Sequence, residues 1–349
     1  MIAFTNTSWK LRRLVALTAL FVGALTLIGA GLVTADDGSR ELVTFEEDQF
    51  PEGLTVAPDG TIHVGILSTG EILRVTPNGS VAKFAQIPLP EGAILVGLAA
   101  ADSTNVYALV FSNDENNGVW YVSAHGASVS QVAQLPVGSL PNGLVLDGTG
   151  HILVTDTIGG RVFRVQPTGE VEVWAADPSL LGNVDEIGPL GFPIGANGIV
   201  MAPDGDAIYV AVSEKARLVR IPINEDGSAG DVAVVAEDPA LGGADGIDVG
   251  PEGAVYVAVN GQNQIAAVDP ETGKVDVVAS GSLFRFPATP RFSPDFETLY
   301  VTNFEGLVFF GLAPGPAAPG LLAIDFETLT PQPSAITPPV TGSAGLADR

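Results

Sequence analysis

Four oxygen-bearing side chains recur at one place in a repeating pattern. Glu52, Asn142, Asn197 and Asp245 each stand immediately before a glycine, in the stretches EGLTVAPDGTIHVGI, NGLVLDGTGHILVTD, NGIVMAPDGDAIYVAV and DGIDVGPEGAVYVAV. Two carboxylates and two carboxamides are hard oxygen ligands. Brought to one point they suit calcium, or less strongly manganese or magnesium, with water completing the shell. Zinc ranks behind, because it usually takes His or Cys and this column offers neither. A carboxylate beside such a cation can accept a proton from water attacking a carbonyl. The same residues also have a plainer use, since Asp, Asn and Glu before Gly serve turns by bonding the local backbone. Register favours the shared site. The two remaining members of the column are Val96 and Ala288, and burying two carboxylates together without a cation is costly.

The elements that would position this column follow from the spacing. Successive column residues from Glu52 are 90 (two units of 45), 55 and 48 residues apart, and the unit expected near position 97 is present as VGLAAADSTNVYALV. A sixth begins near Ala288 as ATPRFSPDFETLYVTN. Each unit has a short apolar or alternating strand, a Pro-Asp-Gly-like turn and a second strand. A third strand follows, such as RVFRV from Arg161, and then a fourth, such as VEVWAAD from Val171. Six repeats of four short strands at about 45 residues predict an all-β, six-bladed β-propeller. The last repeat supplies three strands ending in LLAIDFE, and ELVTFEE from Glu41 has the fourth-strand pattern, so the N-terminal strand is expected to close the ring. Inner strands line a propeller's channel, so equivalent positions converge on its axis.

The ends differ from this body. Lys10, Arg12 and Arg13 precede a 20-residue apolar run, Leu14 to Val33, followed by Thr34-Ala35 and then Asp36-Asp37. This reads as a signal peptide over residues 1–35, and hence a secreted or extracytoplasmic protein; the run is also long enough for an uncleaved membrane anchor. Residues 41–330 form the propeller, and residues 331–349, rich in Pro, Gly, Ser and Thr, are expected to be a disordered tail. The 349-residue chain has 15 basic and 40 acidic residues, a net charge of -25, which opposes nucleic acid and anionic membranes as partners. A small-molecule substrate fits better. There are no cysteines, so disulfides and thiolate centres are excluded.

The blade starts FPEGLTVAPDG, LPNGLVLDGTGHILVTD, GANGIVMAPDGDAIYVA and GADGIDVGPEGAVYVAV resemble the senescence marker protein, gluconolactonase and luciferin-regenerating enzyme family of calcium-dependent propellers. The resemblance spans roughly residues 41 to 330. It implies metal ligation by Glu52, Asn197 and Asp245, with Asn142 holding a metal-bound water or a substrate oxygen. It also implies Asp245 as the general base acting on a lactone or ester. The chain departs from the family's sugar-lactone enzymes at Leu140, where they carry an Arg.

Other chemistry is sparse. His63, His125 and His151 share no motif with a nucleophile, and the acidic loops from Ser112 and Asn224 read as hairpin connections. Two longer connections, residues 177–196 and 304–320, fall on the face where inner strands start. Both read as walls of a site or as packing between blades; as a wall, the Leu and Phe residues of the second imply a partly apolar substrate. Two functions fit this sequence: a secreted metal-dependent hydrolase of lactones or related esters, and a non-catalytic extracellular propeller that binds a partner and keeps the metal for structure.

Overall fold

The computed structural model describes residues 38–329 except 124, 125, 186 and 189. The signal-peptide and tail segments and His125 lie outside the described residues. Six four-stranded antiparallel sheets follow one another along the chain. Their inner strands are Pro51–Val56, Ile94–Ala100, Pro141–Leu146, Ala196–Met201, Ala244–Val249 and Pro287–Phe292, taken as blades 1 to 6. Each inner strand touches the next, and the sixth touches the first, so the sheets form a closed β-propeller. Blade 6 is completed by Ser39–Thr44, which pairs antiparallel with Gly320–Asp325. Chain closure is therefore as the fourth-strand pattern of the N-terminal segment predicts.

The core consists of blade-to-blade interfaces. In the second strand of blade 4, Ile208, Val210 and Val212 pack toward blade 3, while Ala207, Tyr209 and Ala211 pack toward blade 5. Both faces of such a strand are dry, which is why AIYVAV reads as a continuous apolar run. His63 shows the same geometry in blade 1. It lies buried with its ring 4.5 Å from that of Phe84, and burial pushes its imidazole down to about 4, so it is neutral at physiological pH.

Every inner strand breaks register with its neighbour at the same place. The shifts fall between Pro51 and Leu54, Leu95 and Leu98, Pro141 and Leu144, Ala196 and Ile199, Ala244 and Ile247, and Pro287 and Pro290. The column residue and the one after it thus form a bulge that leaves the ladder of its own blade. This corrects the turn reading: Gly53, Gly97, Gly143, Gly198 and Gly246 lie within strands, and none has a positive φ. They are needed for close approach. A Cβ on Gly53 would stand 2.1 Å from the Val96 carbonyl oxygen, and one on Gly198 would stand 2.3 Å from that of Asp245.

Candidate metal centre

The six bulges set the column residues at one end of the channel. Glu52, Asn142, Thr289 and Arg291 line a common cavity of about 20 Å³, room for about one water molecule or ion. Glu52, Asn197 and Asp245 are buried and Asn142 is half-buried. Val96 and Ala288, the apolar members of the column, are buried as well. Of the four sequence-predicted residues, Glu52 and Asn142 line this cavity, while Asp245 neighbours Glu52 and accepts a hydrogen bond from Asn197, Asp245 and Asn197 standing outside the cavity lining.

Their orientation is built by hydroxyls at the ends of second strands. Asn197 Nδ2 donates to Ser213 Oγ at 2.9 Å, and Ser213 Oγ donates in turn to the Ala244 carbonyl at 2.5 Å. The amide nitrogen being held this way, Asn197 Oδ1 is left buried with no hydrogen-bond partner. Glu52 Oε2 is likewise buried and unpartnered. The backbones behind them are fixed too: Thr155 Oγ1 donates to the Asn197 carbonyl at 2.6 Å, and Thr302 Oγ1 donates to the Glu52 carbonyl at 3.1 Å. Asn260 Nδ2 donates to Asp245 Oδ2 at 3.2 Å.

The electrostatics call for a cation. Burial pushes the Asp245 carboxyl up to about 7, against the hydrogen bonds from Asn260 and Asn197. Burial, and then the neighbouring Asp245, push Glu52 well above the usual carboxylate range, with Arg291 pulling the other way. Two buried acids, with one orphaned oxygen on Glu52 and another on the amide of Asn197, fit a hard divalent cation. Only two of the four predicted residues are acids, and no group of three His, Cys, Asp or Glu side chains occurs among the described residues.

Sequence reasoning missed Arg291, Ser213 and Asn260. Arg291 Nη1 is anchored to the Ile247 carbonyl at 2.5 Å and the Pro290 carbonyl at 2.9 Å, facing the same cavity as Glu52. Its signal was position, three residues after Ala288 of the column. Ser213 and Asn260 share a signal, since each directly follows the second strand of its blade. At the mouth of blade 3, Leu140 is buried, its N–H held by Asp156 Oδ1 at 2.9 Å, while Asp156 Oδ2 pairs with Arg161 at 2.7 Å.

Residues 193–305 match the family described as SMP-30/Gluconolactonase/LRE-like region. The resemblance read from the blade starts holds. The gluconolactonase-like region contains Asn197 and Asp245, while Glu52 and Asn142 lie before it. No curated protein matches the chain. Among solved structures, the calcium-binding protein regucalcin of Agrobacterium tumefaciens is similar at 19% identity and TM-score 0.60, over 82% of this chain and 92% of that one. A gluconolactonase of Xanthomonas campestris is similar at 16% identity and TM-score 0.60, over 82% and 89%. Virginiamycin B lyase of Staphylococcus aureus is similar at 19% identity and TM-score 0.55, over 76% and 81%. At these identities the likeness to solved structures establishes the fold.

Proposed function

We propose that the protein is an extracytoplasmic, metal-dependent hydrolase of lactones or related esters, with calcium as its metal and manganese, magnesium or zinc as alternatives. The observation that carries this reading is the pair of orphaned buried oxygens, Glu52 Oε2 and Asn197 Oδ1, beside a carboxyl raised to about 7 at Asp245. The gluconolactonase-like region supports the reaction class, and the calcium-binding regucalcin fold supports the metal. Placement outside the cytoplasm rests on the charged and apolar pattern of residues 1–35.

Glu52, Asn197 and Asp245 would hold the cation, which when bound polarises an ester carbonyl and makes a nearby water more acidic. Asn142, half-buried on the cavity wall, orients the water or a substrate oxygen. As the water oxygen bonds to the carbonyl carbon, its proton passes to Asp245, held in place by Asn260. The ester C–O bond then breaks, and the departing alkoxide takes that proton from Asp245, which returns to carboxylate, giving a hydroxy acid from a lactone. The buried walls limit access of bulk water to this proton transfer.

The test is turnover on a panel of lactones and aryl esters, with calcium, manganese, zinc or chelator, for wild type and Asp245→Asn. The substitution keeps an oxygen ligand and removes the base, so turnover at saturating metal should fall on the order of 100- to 10,000-fold. Equal turnover with metal demonstrably bound would leave the non-catalytic, ligand-binding propeller as the better account.

A further inference from the structure

The mouth of the channel has two unlike halves. Just before the last pair ahead of the bulge, the inner strands carry Phe286, Phe50 and Ile94 in blades 6, 1 and 2, Leu140 in blade 3, and Gly195 and Gly243 in blades 4 and 5. The residues following the second-strand partner in that same pair are Phe304, Leu67 and Phe111 in blades 6, 1 and 2. In blades 3, 4 and 5 they are Thr157, Ser213 and Asn260. In the ligand column Ala288 and Val96 flank Glu52 on the first side, while Asn142, Asn197 and Asp245 fill the second.

The apolar half is a constructed surface. The Phe304 ring lies 6.4 Å from Phe50, 6.0 Å from Phe286 and 5.5 Å from Phe309. Phe286 has φ +57 and precedes a proline, a conformation that a bulky residue rarely adopts, and its N–H is held by Asn263 Oδ1 at 2.7 Å. Beyond Phe304 the chain makes a one-turn helix, Gly306–Phe309, and returns. Both ends of this excursion are tied to one guanidinium, since Arg285 pairs with Glu305 at 2.9 Å and donates to the Ala318 carbonyl at 2.7 Å. The tied loop leaves Leu307, Phe310 and Leu312 exposed, on a chain whose charged residues are mostly acidic.

We propose that blades 6, 1 and 2, with the tied loop, form a subsite for an alkyl or aryl substituent of the ester or lactone whose reacting carbonyl faces blades 3, 4 and 5. This rests on the hydrolase reading above and adds the substrate class to it. Carboxylates in the column and the overall negative charge disfavour an anionic substituent, and the cluster of Phe50, Leu67, Ile94, Phe286, Phe304 and Phe309 has no side-chain group to bond sugar hydroxyls. Each methylene buried there is worth up to about fourfold in affinity.

The experiment compares δ-valerolactone with δ-dodecalactone, at saturating calcium, for wild type, Phe310→Ser and Ile94→Thr. Wild type should favour the long-chain lactone in kcat/KM by about tenfold or more. Each variant should raise KM for δ-dodecalactone by about tenfold while leaving δ-valerolactone within about twofold and Tm unchanged. Equal effects on both lactones, or none on either, would overturn the subsite. If wild type hydrolyses neither lactone, the hydrolase reading falls, and calorimetric titration with δ-dodecalactone decides the subsite by itself. Binding that weakens about tenfold in Phe310→Ser supports it; absent binding, or binding equal in wild type and variant, overturns it.

Discussion

At the scale of single residues, the proposed cation site depends on groups outside its proposed ligands. Ser213 holds the nitrogen of Asn197 and thereby chooses which amide atom is left buried without a partner. Ser213→Ala removes that choice, and calcium affinity measured by titration should fall about 10- to 100-fold while Tm in chelator changes little. The acid pair makes a further prediction. Asp245 has a folded pKa of about 7 against an ordinary value of 3.8, so the metal-free folded state binds more protons between those limits. Its contribution to stability is fully present below about pH 4 and is lost as pH rises through 7, on the order of 4 kcal/mol. Tm in chelator should therefore fall from pH 5 to pH 8, and millimolar calcium should abolish that fall. A chelated protein with the same Tm at both pH values would contradict the buried acid pair.

At the scale of the element, the inner strand with its bulge is the unit of design. The turn and strand pattern was readable because both depend on neighbours in sequence: Pro-Asp-Gly sets the hairpin, and apolar alternation sets the strands. The convergence of the inner strands that carry Glu52, Asn142, Asn197 and Asp245 was readable because equivalent repeats must meet at an axis. The role of the glycines was not, since it depends on how close the next blade's carbonyl comes, and no local pattern records that distance. Ser213 and Arg291 escaped for the same reason, their partners lying on neighbouring strands or blades. The glycine argument has a direct test. Gly53→Ala places a methyl against the Val96 backbone and should cost about 2 to 4 kcal/mol in thermal or denaturant unfolding. Gly60→Ala, in a turn with φ +82 and open space around its Cβ, should cost only about 1 kcal/mol. Equal costs would return the inner-strand glycines to a merely conformational role.

At the scale of the whole molecule, closure replaces the covalent ties that this cysteine-free chain lacks. Ser39–Thr44 covers what would otherwise be the bare edge of Gly320–Asp325. Deleting residues 36–50 should expose that edge and produce aggregation, whereas deleting residues 331–349 should leave Tm and solubility nearly unchanged. Light scattering and thermal unfolding of the two truncations make the comparison, and equal behaviour would refute the dependence on closure.

That seam also sets an order in time. The first described strand of the chain, beginning at Ser39, has its partner some 280 residues later, with Ser39 opposite Ile324. A chain emerging from its N-terminus must keep the first strand waiting until the last has arrived, and contacts so distant in sequence form slowly. The blade containing the seam stands between blade 5, which carries Asp245, and blade 1, which carries Glu52. An arc of five blades would leave those two carboxylates on opposite flanks of a gap. On the proposed metal reading, uptake of a divalent ion during refolding would be a clock for the last event of assembly, and it should trail the appearance of β structure.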